Sequence, residues 1–191
     1  MSASNLRLDS HRPALLYLCG DAASIDRAYR LGELRLRPND VGESLPGLSP
    51  GLSPGPSLAR QILPFGSKKS AGSSGFLILS LSTAWNEALA EKGPGSGSCL
   101  VIRDTEEFGE RLHKAVAKAL PQWAGIDAAV TYGAASSLGA VFTKERFFAA
   151  QKEWLFAWRP VQPTLSLQSI VVQIGSLESF TEVLSTRPLE R

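Results

Sequence analysis

Glu153 is the residue in this 191-residue chain whose position best suits chemistry, because it begins an apolar, aromatic-rich segment. Gln151 lies two positions earlier, and the alternation of a strand would place both side chains on one side. A carboxylate flanked by Trp154 and Phe156 would be partly desolvated, as active-site carboxylates often are, and the Gln151 amide could orient a nucleophile. The competing interpretation, which the sequence alone favours, is that Gln151 and Glu153 form the solvated side of an edge strand.

Ser80 and Ser82 form a second candidate group, at the end of the most apolar strand-like segment, 75–82. Strand alternation places both hydroxyls on one side, where they can hydrogen-bond a polar ligand at the rim of a sheet. The alternative is that Ser82 or Thr83 caps the helix that follows, and the sequence alone favours this alternative.

Several common catalytic patterns are absent from the sequence. It contains no GxSxG nucleophile elbow, no Walker loop and no GxGxxG after a strand. It has only two histidines, His11 and His113, and two cysteines, Cys19 and Cys99. This inventory predicts neither a disulfide framework nor a Cys/His metal site, and His113 is predicted to be an exposed surface residue on a helix.

The charge balance argues against nucleic acid as an obligatory partner. Twenty Lys and Arg residues against eighteen Asp and Glu residues give a net charge of +2. A basic cluster is present, but acidic residues interrupt it, so a uniformly basic face is not expected. The basic residues of this cluster are Arg27, Arg30, Arg35 and Arg37, and the acidic residues among them are Asp26, Glu33 and Asp40.

The elements that must position these residues are many short strands and few helices. They lack regular βαβ alternation, which predicts an α+β fold. Asp104 followed by Glu107 forms a capping-box pattern for the longest helix. Strands are predicted at 14–19, 33–37, 75–82, 98–103, 128–132, 153–158 and 167–173; helices are predicted from Asp21 or Ser24 to 32, at 84–91, at 104–120, from Thr143 through 148, and from Ser176.

One stretch of the chain, 41–75, is rich in glycine, proline and serine. It contains seven Gly, five Pro and eight Ser residues, including a repeated Gly-Leu-Ser-Pro unit. Such a composition opposes both helix and strand. We therefore predict one domain, 1–191, with a long flexible loop at 41–75, which is interpreted as a tolerated insertion in preference to a substrate-gating loop.

Taken in order, these elements resemble the ADP-ribosyltransferase superfamily. Ser80–Thr83 resembles its serine-bearing strand, and Gln151–Glu153 resembles its Gln-x-Glu signature. The chain is similar, more specifically, to an uncharacterised bacterial branch with a Ser and Trp-Asn-Glu element, here 79–87, and a Lys, aromatic and Glu-Trp element, here 142–156. The resemblance implies a split β-sandwich with short helices, built around a cleft for NAD.

The resemblance also implies an activity: transfer of ADP-ribose from NAD to a protein or nucleic-acid acceptor, with release of nicotinamide. Glu153 would stabilise the oxocarbenium-like charge that develops on the ribose, and Gln151 would orient the acceptor. If water replaced the acceptor, the reaction would be NAD hydrolysis. NAD is thus expected as a substrate, without a metal, and the residues implied to bind it are Tyr17, Ser80, Ser82 and Arg35.

The chain departs from the superfamily at the first strand. There the family pattern of Leu-Tyr followed by Arg or His becomes Leu16-Tyr17-Leu18. One interpretation is that another arginine takes the place of the missing basic residue. The alternative is a non-enzymatic interaction module with a degenerate NAD site, for which the four tryptophans would suit partner binding. The candidate substitutes are Arg12, Arg27, Arg35 and Arg37.

The expected biological setting is a bacterial toxin, effector or defence enzyme. Its acceptor would be a macromolecule or a small molecule, and a toxin would have an antitoxin or immunity partner. No membrane partner is expected, because the sequence has no run of eighteen apolar residues and residues 1–10 do not form a signal peptide. Two cysteines taken as unpaired favour the cytoplasm, although an effector delivered by a secretion machine would have the same features.

Overall fold

The computed structural model of the protein describes residues 11–39, 75–85, 97–162 and 167–185. Two α-helices and ten strands lie within these ranges, together with two short 3₁₀ helices, Ala140–Phe142 and Arg146–Gln151. The helices are α1 (Ala22–Leu31) and α2 (Thr105–Ala119); the strands are β1 (Leu16–Gly20), β2 (Glu33–Asn39), β3 (Phe76–Ser82), β4 (Ser98–Ile102), β5 (Trp123–Ala129), β6 (Thr131–Tyr132), β7 (Thr143–Lys144), β8 (Glu153–Pro160), β9 (Ile170–Gln173) and β10 (Thr181–Ser185).

The predicted α+β class is confirmed. Eight of the described strands form one sheet in which every pairing is antiparallel, and β6 and β7 form a separate parallel pair. The predicted loop at 41–75 lies outside the described residues, except for Gly75. Most of the helix predicted at 84–91 also lies outside them.

The sheet divides at β3, which has three partners although a strand has only two edges. β8 pairs along one edge, from Leu77 to Ser82. β1 and β2 must therefore share the other edge. β2 pairs with its first residues, 76–78, and β1 pairs at Ser82 alone. From there β1 continues to β4 and β10, whereas β2 continues to β9, so the sheet opens into two arms between β1 and β2.

Strand alternation sends the side chains of β8 into two separate cores. Trp154, Phe156 and Trp158 pack on one face of the sheet with residues of α1 and α2, and all three are buried. Leu155 and Ala157 pack on the opposite face, against residues of the 126–142 segment. Strand β8 is thus covered on both faces, and it lies between β3 and β5 in the sheet.

Both helices begin and end as the sequence predicts. The carboxylate of Asp21 accepts the Ser24 N–H at the start of α1, and Asp104 accepts the Glu107 N–H at the start of α2. Helix α1 ends at Gly32, whose φ of 63° is left-handed. A Cβ at Gly32 would lie 2.1 Å from the carbonyl oxygen of Gly175, so glycine is required there for two reasons.

One predicted helix begins later than predicted, and another is wrong. Thr143 lies in β7, where its hydroxyl contacts the Ser136 N–H and the Gly139 carbonyl, and only the 3₁₀ helix Arg146–Gln151 follows. The helix predicted from Ser176 is a turn followed by β10, because the free edge of β4 provides five register partners for that strand. Strand β5 also begins earlier than predicted, because its pairing with β8 extends over seven positions.

The prediction of unpaired cysteines is also wrong. Cys19 and Cys99 are directly opposed register partners on β1 and β4, with Cα atoms 4.1 Å apart, and their sulfurs form a disulfide. The support that free thiols gave to a cytoplasmic location is therefore lost. The α-helices in the described part of the chain have 10 and 15 residues, and neither is long and apolar enough to cross a membrane.

Candidate functional site

The structure places Glu153 at the start of β8, between β3 and β5. The alternative of a solvated edge strand is therefore wrong: the strand is internal, and the Glu153 side chain is only 11% exposed. Register explains its surroundings, since Glu153 is opposite Ser82 and is therefore on the same face as Ser80.

Three side chains hold the Glu153 carboxylate. The hydroxyl of Ser80 donates to Oε1 at 2.6 Å, and the hydroxyl of Tyr132 donates to Oε2 at 3.1 Å. The ammonium of Lys144 lies 2.8 Å from Oε1 and 2.7 Å from Oε2. These three donors hold the carboxylate in one orientation.

Tyr132 and Lys144 reach the carboxylate from the same small sheet. They are register partners in the parallel pair β6 and β7. The Tyr132 hydroxyl also accepts the backbone N–H of Glu153 at 2.9 Å. Burial, together with the charge of Glu153 and the hydrogen bond to it, raises the pKa of Tyr132 to about 12, so the phenol remains a donor at neutral pH.

The register of β1, β2, β3 and β8 brings the predicted strand residues to one face of the sheet. Tyr17 and Glu153 are both partners of Ser82, and Arg37 is the partner of Ile78, two residues before Ser80. Arg35 lies two residues from Arg37 on β2 and faces the same way. The residues so combined are Tyr17, Ser80, Ser82, Arg35 and Glu153.

Gln151 and Ser82 have more local roles than predicted. Gln151 ends a 3₁₀ helix, and Lys152 follows it with a left-handed φ of 44°, so Gln151 and Glu153 do not alternate along one strand. The Ser82 hydroxyl lies 2.7 Å from the Ala84 carbonyl and 3.0 Å from the Gln151 carbonyl, either of which accepts its proton. Ser82 thus ties the end of β3 to the turn before β8.

A cleft of about 390 Å³ opens where the two arms of the sheet separate. Ser80 of β3 lines it, and the other lining residues come from β1, β2, β3, α1 and the residue that caps α1. Three arginines line it. Arg27 pairs with Glu33 at 3.0 Å, whereas neither Arg35 nor Arg37 has an ion-pair partner within the described ranges. Two carboxylates, Asp21 and Glu33, also line the cleft, so its three arginines leave a net charge of +1.

The ring of Tyr17 packs on Trp85 with centroids 6.0 Å apart. Its neighbour Leu18 lines the cleft and holds the position at which the resemblance led us to expect a basic residue. Arg12, one of the four candidate substitutes, is not available: it pairs with Asp127 at 2.8 Å and with Glu106, and it stacks over Phe156 on the opposite face of the sheet. The arginines of the cleft therefore remain as candidates for the missing basic residue.

Asp127, which sequence reasoning missed, organises a second polar cluster on that opposite face. Its Oδ1 is 2.8 Å from Nε2 of His113, and its Oδ2 accepts the indole N–H of Trp154 at 2.8 Å. Arg12 donates to both oxygens. His113 is consequently half-buried and engaged, not an exposed surface residue as predicted. Asp127 thus links Arg12, α2 and β8 away from the cleft, which indicates a structural role.

Comparison of the chain with known protein families, with curated proteins and with solved structures gives no match. Within the described residues, no group of three His, Cys, Asp or Glu side chains is arranged to hold a metal ion. The chemistry of the site is therefore argued from Glu153, its three donors and the arginine-lined cleft.

Proposed function

We propose that the protein is an NAD-dependent ADP-ribosyltransferase, which transfers ADP-ribose to a macromolecular acceptor and releases nicotinamide. One observation carries the proposal: the Glu153 carboxylate is bonded to Ser80, and Ser80 lines the cleft that also contains Arg35 and Arg37. A preorganised carboxylate beside an anion-attracting cleft matches the two charges of the substrate, a developing cation and a diphosphate.

The chemistry requires one bond to break and another to form. The bond between the ribose C1′ and the nicotinamide nitrogen breaks, its electron pair leaves with nicotinamide, and positive charge develops on the ribose. The carboxylate of Glu153 is negative and fixed in place, so it stabilises that charge without reorganising. An acceptor nucleophile then attacks C1′ and loses its proton; with water as the nucleophile, the products are ADP-ribose and nicotinamide.

The diphosphate is assigned to Arg35 and Arg37. Both are on the face of the sheet that carries Glu153, both line the cleft, and neither forms an ion pair with a carboxylate within the described ranges. Guanidinium groups bind phosphate oxygens in paired, charge-assisted hydrogen bonds. The superfamily pattern has a basic residue on the first strand, where this chain has Leu18. Arg35 and Arg37, on the second strand, would take over its role.

The division of the sheet supports the finer fold assignment. A split β-sandwich of the ADP-ribosyltransferase type needs two groups of strands that separate around a ligand cleft. Here β1 and β2 share one edge of β3 and then diverge, and the cleft lies between them. A role as a toxin, effector or defence enzyme, with an immunity partner, remains part of the proposal.

The test is nicotinamide release from NAD, measured by chromatography for the wild-type protein and for Glu153→Gln. We expect release by the wild-type protein and a loss of about 100-fold or more in the variant, because the amide carries no charge. Glu110→Gln on the exposed surface of α2 serves as the matched control and should retain full activity. Equal nicotinamide release by Glu153→Gln and the wild-type protein would show that Glu153 does not have its assigned role.

A second candidate function is a non-enzymatic interaction module, and one observation favours it. Phe147 is 87% exposed and packs edge-on against Phe148 in the 3₁₀ helix Arg146–Gln151, which precedes Glu153. Exposed aromatic residues of this kind often mark contact surfaces. This module would bind no NAD in calorimetry, and Phe147→Ala would abolish capture of its partner without affecting the fold.

A further inference from the structure

The Glu153 side chain is enclosed, so its carboxylate needs hydrogen-bond or ion-pair partners. Only 11% of its side chain is exposed, and an isolated charge at such a position carries a large desolvation penalty. Ser80 and Tyr132 provide neutral donors. Among the described residues, the only cation within ion-pair distance of this carboxylate is Lys144, whose Nζ is 2.8 Å from Oε1 and 2.7 Å from Oε2.

The two-stranded parallel sheet places Lys144 beside the carboxylate. Its strand, β7, runs parallel to β6, and the Gly133 N–H donates to the Lys144 carbonyl at 2.9 Å. The register partner of Lys144 is Tyr132, which donates to the same carboxylate. The two-stranded sheet therefore approaches Glu153 with a cation and a hydroxyl, while Ser80 approaches from β3.

We propose that Lys144 is a positioning residue for Glu153: its ammonium bridges both carboxylate oxygens and holds them in one orientation. This inference rests on the proposed function, in which Glu153 must be negative as positive charge develops on the ribose. Lys144 acts through Glu153 and is not assigned a contact with the ribose. With 37% of its side chain exposed, it can also stay hydrated while it bridges both oxygens.

The experiment compares Lys144→Met, Lys144→Arg and the control Lys118→Met in steady-state nicotinamide release from NAD. A hydrogen bond to a charged group contributes enough for kcat to fall by about 10- to 100-fold in Lys144→Met. We expect KM for NAD to change by less than about twofold, because the arginine cleft is intact. Lys144→Arg keeps the charge and should recover most of kcat, and the exposed Lys118 should have no effect.

The outcomes separate this inference from the proposed function. Wild-type kcat in Lys144→Met, with Glu153→Gln inactive, would overturn the role of Lys144 and leave the transferase intact. A loss in Lys144→Met that Lys144→Arg does not restore would also overturn it, by indicating a role in packing. If Lys144→Met does not fold, Lys144→Gln keeps an N–H donor without the charge and should lose kcat similarly. An inactive wild-type protein would overturn both proposals.

Discussion

The hydroxyl of Ser80 donates a 2.6 Å hydrogen bond to Oε1 of Glu153, which lies 73 residues further along the chain. Register makes this a diagonal contact: Ser80 is opposite Leu155, and Glu153 is opposite Ser82. Diagonal neighbours on one face of a sheet are within reach of a long side chain. The short serine remains on the strand, and the glutamate spans the distance, so the position of the carboxylate depends on both strands.

Removal of this hydroxyl should weaken both activity and stability. In Ser80→Ala the Glu153 carboxylate loses one of its donors, so we expect nicotinamide release to fall about tenfold and the free energy of unfolding to fall by about 1–2 kcal/mol. Chromatography and urea denaturation measure the two effects. Ser179→Ala, at an exposed position, is the control. Unchanged nicotinamide release would mean that Ser80 does not support the carboxylate.

Features of the fold that depend on nearby residues could be predicted from the sequence. The caps at Asp21 and Asp104 fix the helix starts, and Gly32 fixes a helix end, because each is decided within one turn of chain. The segment after Ser176 could not be predicted in this way. Its conformation is decided by the edge of β4, about eighty positions away, and that partner outweighs the local preference.

The candidate site likewise contains residues that the sequence could predict and residues that it could not. Strand alternation and the resemblance to the superfamily pattern singled out Ser80 and Glu153, which the structure brings into contact. Tyr132 and Lys144 carry no periodic signal, because the two strands that present them have only two residues each. Asp127 was missed for a related reason: β5 contains Gly125 and alternates poorly, so the strand that positions it was only partly predicted.

Asp127 should be among the most important polar residues for stability. Its side chain is 8% exposed, and Asp127→Asn leaves the Arg12 guanidinium without its main counter-charge in a partly buried position. We expect the free energy of unfolding to fall by about 3 kcal/mol in chemical denaturation. Glu106→Gln removes the other, 60% exposed partner of Arg12 and should cost less than about 1 kcal/mol. Equal losses in the two variants would contradict this assignment.

Asp127 should also make the stability of the protein sensitive to acid. Burial alone would raise the pKa of Asp127, but hydrogen bonds from His113, Arg12 and Trp154, with the charge of Arg12, hold it well below its usual range. The unfolded chain takes up this proton near pH 4, whereas the folded protein resists it. The stabilisation is therefore present above about pH 4 and is lost as the pH falls further.

Denaturation curves at a series of pH values test this expectation. The difference in free energy of unfolding between the wild-type protein and Asp127→Asn should be largest near pH 5 and above. It should shrink steadily towards pH 2, because the asparagine cannot ionise in either state. Glu106→Gln, measured in parallel, should show little of this dependence. A difference that stays constant across this range would show that the charge of Asp127 contributes no pH-dependent stability.

Tyr132 should give a distinct signal in alkaline titration. Burial raises the pKa of its phenol, and the hydrogen bond to the Glu153 carboxylate and the charge of that carboxylate add to the effect, which brings the pKa to about 12. An unfolded tyrosine ionises near pH 10, so the protonated phenol stabilises the folded state, and this stabilisation is lost between about pH 10 and pH 12. Absorbance at the tyrosinate band should show a transition near pH 12 that is missing in Tyr132→Phe.

Because the elevation of the Tyr132 pKa depends partly on Glu153, Glu153→Gln should move the transition to lower pH. An unmoved transition would mean that the phenol and the carboxylate are not coupled.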